Sequence, residues 1–241
     1  MDKKRVILFS AGLLLSASIA TQFHNSDRTL PWQSQDRQIA VVESVRSQLA
    51  DEALKQSSND LEKLYQQAAI AQPYLSLTTQ ELARELGGEA LIPPTLKTRE
   101  RSLEKIATDY DGDASRITDL ARSSIIFETE AEVLKALSVL QQRTDVLRFK
   151  NRFASPIDGY RDVLLNVLTP NGHIVEIQLH LRSILEAKYE SGDGIYSTIR
   201  TIEGDAKREG RSLTTSETMQ IQELRTKARK LYNDAFAKSK M

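Results

Sequence analysis

Apolar positions along this chain follow two periods, one helical and one of strands. From Ile39 to Ala71, Val41, Val45, Leu49, Leu54, Leu61, Leu64 and Ala68 recur mostly at three-, four- and five-residue steps. That spacing predicts two helices, interrupted at Ser57-Ser58-Asn59-Asp60. Thr78-Thr79-Gln80-Glu81 reads as a capping box that opens a short helix, which Gly87-Gly88 closes. Pro93-Pro94 marks a boundary. Beyond it, Leu96 to Asp109 reads as a helix. A turn at Asp109–Asp113 and a short helix then lead into a strand at Ser123–Phe127. Thr129 and Glu132 form a capping box for a helix built on Val133, Leu134, Leu137 and Leu140, ending near Arg143. Val146 to Lys150 reads as a strand. Gly159 to Leu181 reads as two more, joined at Thr169-Pro170-Asn171-Gly172. Arg182 to Glu190 is predicted helical. Thr214 to Glu217 caps a last helix with Met219, Ile221, Leu224, Ala228, Leu231 and Phe236 as its buried stripe. The other face of that helix, rich in Lys and Arg, reads as solvated.

These elements predict an α/β (α+β) chain with a small mixed β-sheet flanked by helices. Its divisions are a helical region over 38–94, the mixed domain over 95–200 and a C-terminal helix within 201–241. Residues 21–37 are polar and read as a flexible lead-in. The first 20 residues have the parts of a secretory signal. Lys3, Lys4 and Arg5 precede an apolar run from Val6 to Ala20, and Ser18-Ile19-Ala20 offers small residues for cleavage after Ala20. The run is short against the roughly 20 residues a membrane span needs. The expectation is export to the periplasm or beyond, with membrane contact only through this segment.

Lys+Arg and Asp+Glu both number 33, so the formal net charge is zero and nothing suggests DNA binding. The chain has no cysteine, which excludes thiol nucleophiles and cysteine metal sites. Its three histidines, His24, His173 and His180, show no metal-binding pair spacing. Nucleophile elbows and glycine-rich phosphate loops are missing. Asp109 to Asp113 lacks the EF-hand positions and reads as an acidic turn.

Candidate chemistry concentrates in the sheet. Glu176, Gln178 and His180 alternate along one strand and so share a face. With a four-residue turn, Leu165, Val163 and Arg161 are expected beside them. Asp119 sits at the end of a short helix before the Ser123–Phe127 strand, where it and Glu176 together suit Mg²⁺, an ion that prefers oxygen ligands. Basic residues cluster at Lys97, Arg99, Arg101 and Lys105, and again at Arg148, Lys150 and Arg152. Paired carboxylates with basic clusters compose a site for a metal-bound polyphosphate. The competing expectation is a sheet whose polar face is covered by salt-bridged helices.

Four segments in order resemble the synthetase domain of the RelA/SpoT family. They are Arg99 to Lys105, Asp119 to Ile126, Asp158 to Leu164 and Glu176 to His180, all within about residues 95–200. The resemblance implies a nucleotide pyrophosphokinase, GTP diphosphokinase-like, that moves pyrophosphate from ATP to the 3′-hydroxyl of a nucleotide acceptor. It further implies Mg²⁺ on Asp119 and Glu176, with Glu176 or a neighbour helping to activate the hydroxyl. Tyr160 would stack on the acceptor base. Arg99, Arg101, Lys105, Lys150 and Arg152 would neutralise phosphates, and Gln178 would support the metal-binding strand. Ser124, Leu164 and His180 stand where the family has arginine, histidine and arginine. With a signal-like N-terminus, three alternatives stay open. One is an exported effector with this activity. Another is a non-catalytic exported module that binds a phosphorylated ligand or protein in the same cleft. The third is that the signal-like segment is not used.

Overall fold

A computed structural model describes residues 54–239. Most of the helix expected over 39–56 and the signal-like segment lie outside the described residues, and residues 54–56 are not helical. Helix α1 runs without a break from Leu61 to Leu86. The Asp60 carboxylate caps it by accepting from the backbone N–H groups of Glu62 and Lys63, and Gly87 ends it in the left-handed region. The capping box expected at Thr78 is therefore not a helix start. Thr79 is fully buried in mid-helix; its hydroxyl donates to the Leu75 carbonyl and lies 2.7 Å from Ser123 Oγ. The hydroxyl thus bonds back to the preceding turn, as a threonine inside a helix does, and caps nothing.

The remaining elements follow in order. They are β1 (Glu89–Leu91), α2 (Arg99–Asp109), a 3₁₀ turn (Ala114–Arg116), β2 (Arg122–Phe127) and α3 (Glu130–Arg143). Next come β3 (Asp145–Asn151), β4 (Val163–Leu168), β5 (Ile174–Leu181) and α4 (Arg182–Ala187). A π turn at Lys188–Gly192 joins α4 to α5 (Asp193–Arg208), and α6 (Thr215–Lys238) is last. The capping boxes at Thr129 and Thr214 are present as expected. Strand β1, three residues long, is too short to show a period, whereas helix α5 is unanticipated although Ile195, Ile199, Ile202 and Ala206 recur in it at helical steps. Met219 is exposed, so the buried stripe of α6 runs instead through Ile221, Ala228, Tyr232 and Ala235.

The five-stranded sheet has the order β1-β2-β5-β4-β3. Strand β2 pairs parallel to β5, and the other pairs are antiparallel. One face carries Ile125, Phe127, Val163, Leu165, Val175, Ile177 and Leu179, all buried. The core they form includes Leu64, Ala68, Leu75 and Leu82 of α1 and Val133, Ala136 and Leu140 of α3. Each Val, Leu, Ile or Phe side chain among them contributes roughly 1.5–3 kcal/mol by leaving water. That apolar face frees the opposite one for chemistry.

The β4–β5 turn is tighter than expected. Gly172 N–H donates to the Thr169 carbonyl, Thr169 N–H donates to the His173 carbonyl, and Gly172 takes φ +77°. The loop proper is thus Pro170 to Gly172, closed by a glycine in the left-handed region. This moves the register by one residue. Asn166 lies opposite Glu176 and Leu164 opposite Gln178, whereas Leu165 and Val163 turn into the core.

Candidate active site

The polar face of the sheet is built in rows. Arg122, Glu176, Asn166 and Arg148 stand side by side across β2, β5, β4 and β3, with Ser124, Gln178, Leu164 and Lys150 in the next row. Along β5 the expected trio is bonded together. Gln178 donates its amide to Glu176 Oε1 in a short hydrogen bond, and its carbonyl oxygen lies 3.0 Å from His180 Nε2.

Asp119 lies in the irregular segment after the 3₁₀ turn. That segment is anchored on both sides, by Lys97 N–H to the Leu120 carbonyl (2.9 Å) and Glu176 N–H to the Ala121 carbonyl (3.1 Å). Asp119 is 5% exposed and Glu176 6%. Lys97 and Lys105 both donate to Asp119 Oδ2, at 2.7 and 2.9 Å, while Asp119 Oδ1 is buried without a hydrogen-bond partner.

Electrostatics separate the two carboxyls. Burial opposes ionisation of Asp119, but the ammonium groups of Lys105 and Lys97 outweigh it and hold its pKa below the usual range. Glu176 moves the other way. Burial first, and the charge of Asp119 second, raise its pKa against the pull of Lys105. Burial also opposes the charge on Lys105, yet Asp119, Tyr110 and Glu176 keep its pKa above the ordinary value. For Lys97 burial prevails and the pKa falls.

A cavity of about 200 Å³ is lined by Leu54, Asp109, Tyr110, Arg116, Arg148 and Lys150, and by neither carboxyl of the pair. Lys105 links the two regions. Its Nζ lies 5.6 Å from the Tyr110 ring centroid as well as on Asp119. Arg116 lies over the same ring at 5.0 Å, and its Nε is buried without a hydrogen-bond partner. Arg148 is aimed by Asn166, whose Oδ1 accepts from its Nε and Nη2 at 2.9 and 2.6 Å. Asn166 Nδ2 in turn donates to Thr118, the neighbour of Asp119.

The structure brings Asp119, Glu176, Gln178, Lys105 and Lys150 together. Arg99 instead pairs with Glu62 of α1 at 2.8 Å, and Arg101 lies exposed. Arg152 pairs with Asp162 at 2.5 Å. His180 is buried behind Gln178, and burial lowers its pKa to about 4. The Tyr160 ring packs edge-on against Tyr232, its hydroxyl donates to Asp162, and Lys188 lies 6.0 Å from its centroid. Lys97 and Arg148 already stand in the basic clusters of the sequence. Tyr110, Arg116, Arg122 and Asn166 carry no spacing signal; the hairpin register reveals Asn166, and the parallel pairing of β2 with β5 reveals Arg122.

No family model matches the chain. The curated (p)ppApp synthetase toxin Tas1 of Pseudomonas aeruginosa is 35% identical over 132 residues, which is 55% of this chain and 29% of that protein. The chain thus spans under a third of that relative. The crystal structure of the Type VI effector Tas1 with its immunity protein aligns with a TM-score of 0.53 and 28% identity, covering 73% of this chain and 96% of that one. A GTP pyrophosphokinase family protein from Streptococcus pneumoniae shares the fold at a TM-score of 0.50 and 15% identity, covering 75% of this chain and 97% of that one. Small alarmone synthetase 2 from Bacillus subtilis does so at 0.50 and 18%, covering 75% and 95%. The five-stranded sheet with its flanking helices thus shares the fold of these synthetase structures, and in sequence the chain is similar to part of Tas1.

Proposed function

We propose that this chain is an exported effector that transfers pyrophosphate from ATP to the 3′-hydroxyl of a nucleotide acceptor. The observation that carries it is the buried pair Asp119 and Glu176, set against Lys97, Lys105 and Arg122, with Lys105 reaching from Asp119 to Tyr110 on the wall of the cavity that Arg116, Arg148 and Lys150 also line. In the reaction the acceptor oxygen bonds to the β-phosphorus, the bond from that phosphorus to the α–β bridging oxygen breaks, and AMP leaves. The hydroxyl proton needs a nearby acceptor. Glu176 suits that task because burial raises its pKa toward the working pH, where a carboxylate is a stronger base. The basic groups along the cavity neutralise phosphate charge and fix its position, which is most of what this chemistry asks of a protein.

The same residues fit Mg²⁺. Among the described residues no group of three acidic or histidine side chains gathers, so Asp119 and Glu176 would hold the ion with phosphate and water oxygens completing its shell. The buried, unpartnered Asp119 Oδ1 is the oxygen left over for it. When bound, the ion supplies charge neutralisation on the transferred phosphates. Export rests on the N-terminal sequence, and an effector role rests on the likeness to Tas1.

The test incubates the full chain with Mg²⁺, labelled ATP and a panel of GDP, GTP, AMP, ADP, ATP and tRNA. A labelled, pyrophosphorylated acceptor is expected. No product from any acceptor would refute the activity. Mature protein beginning near Thr21 is expected on secretion, and soluble protein retaining Met1 would contradict export.

A further inference from the structure

The basic face of α6 makes specific contacts with the loop that carries Tyr160. Arg229 Nε donates to Asp158 Oδ1 at 3.1 Å, and Arg225 Nε lies 3.6 Å from Asp158 Oδ2. Gly159 runs directly against the helix. It takes φ +83°, and a Cβ there would stand 3.1 Å from the Arg229 Cα. Tyr160 meets Tyr232 edge-on with ring centroids 5.2 Å apart. Arg161 donates to Asn233 Oδ1 at 3.1 Å, and its guanidinium lies 4.3 Å from the centre of the Phe236 ring. Positions 225, 229, 232, 233 and 236 repeat at three- and four-residue steps, so one helix face makes all of these contacts.

The loop needs such a hold. Asp158 takes φ +46°, a left-handed conformation uncommon for a residue with a side chain, and one that surrounding contacts must maintain. Four consecutive loop residues, 158 to 161, are engaged by α6, and Tyr160 is the third of them.

We propose that α6 is a clamp that sets the Tyr160 loop, with Arg229 and Tyr232 as positioning residues for acceptor binding. The acceptor part rests on the proposed function together with the role for Tyr160 that the family resemblance implies, stacking on the acceptor base. The helix touches no proposed phosphate or metal ligand through these contacts, so its influence falls on acceptor affinity and not on the chemical step.

The test compares full-chain wild type with Arg229→Glu, Arg229→Lys and Asp158→Asn. Arg229 is more than half exposed, so its variants perturb the clamp without opening the core. Asparagine tolerates the left-handed conformation but lacks the charge. Hydrogen exchange of residues 157–161 is measured alongside steady-state kinetics. Arg229→Glu is expected to speed exchange and raise the acceptor KM by about fivefold each, the scale of a partly exposed ion pair. The kcat and the KM for ATP should stay within about twofold. Asp158→Asn should act in the same direction, and Arg229→Lys should restore most of both effects. Unchanged exchange in Arg229→Glu and Asp158→Asn would overturn the clamp. Faster exchange with an unchanged acceptor KM would overturn its role in acceptor binding. If the chain transfers nothing to any acceptor, the acceptor role falls with the proposed function, while the exchange result still decides whether α6 sets the loop.

Discussion

Neutralising the two buried carboxyls should shift stability in opposite directions. Asp119→Asn removes the charge that holds Lys97 and Lys105, whose side chains are 10% and 26% exposed. Breaking a buried ion pair by removing one partner costs about 3–5 kcal/mol. The partial exposure of Lys105 and the acceptor oxygen that asparagine retains place this case near the lower end, about 3 kcal/mol. For a domain of this size that lowers Tm by roughly 6–12 °C. Glu176→Gln should instead be neutral, or stabilising by up to about 1 kcal/mol, because burial and Asp119 already disfavour its charge.

The pH dependence follows in sign. Asp119 has a lowered pKa, so its contribution is full above its ordinary value of 3.8 and is lost as pH falls through the folded value. Glu176 has a raised pKa, so its stabilising contribution is full below 4.5 and lost as pH rises through the folded value. The gap between wild type and Glu176→Gln should therefore close in acid and open toward neutrality. Urea midpoints of the full-chain proteins at pH 7.5 and pH 4.5 read both effects. Asp119→Asn within about 0.5 kcal/mol of wild type, or Glu176→Gln destabilised by more than about 2 kcal/mol at neutral pH, would refute this account of the charges.

Other parts of the fold give further expectations. Gln56 donates to the Ile117 and Ile174 carbonyls and accepts from Ile174 N–H, tying the Asp119 segment to β5. Gln56→Leu should cost about 2–3 kcal/mol through the buried groups it strands, read as a lower urea midpoint. His173 and His180 are buried, and burial lowers both pKa values to about 4. The unfolded chain then takes up these protons first, so stability should fall as pH drops from 6.5 toward 4, by up to roughly 3 kcal/mol per histidine. His173→Leu removes an imidazole with neither nitrogen hydrogen-bonded and should make that decline shallower. At Gly192 an added Cβ would stand 1.9 Å from the Tyr232 hydroxyl, so Gly192→Ala should destabilise by about 1–3 kcal/mol in a thermal melt.

The sequence showed the sheet-and-helix plan wherever one period prevailed. Glu176, Gln178 and His180 alternate so plainly that their shared face was legible, and the boxes at Thr129 and Thr214 mark true starts because no helix runs through them. Thr78 to Glu81 carries the same residue types, yet the apolar stripe of Leu64, Leu75 and Leu82 draws one helix straight through them. The site was legible as a list of charges but not as a geometry. A three-residue loop in place of a four-residue one turned Asn166 toward Glu176, and no local pattern distinguishes the two. Arg99 and Lys105 look equivalent in the sequence, but they point to different sides of α2, one to Glu62 and one to Asp119.

The central claim is that one ATP and one nucleotide acceptor yield AMP and a pyrophosphorylated acceptor at this pair of carboxyls. Mass analysis of a single reaction of the full chain with ATP, Mg²⁺ and acceptor tests it directly. AMP and an acceptor heavier by one pyrophosphate should appear in equal amounts, and Glu176→Gln should abolish both. ATP left intact with every acceptor, or product formed equally by Glu176→Gln, would contradict it.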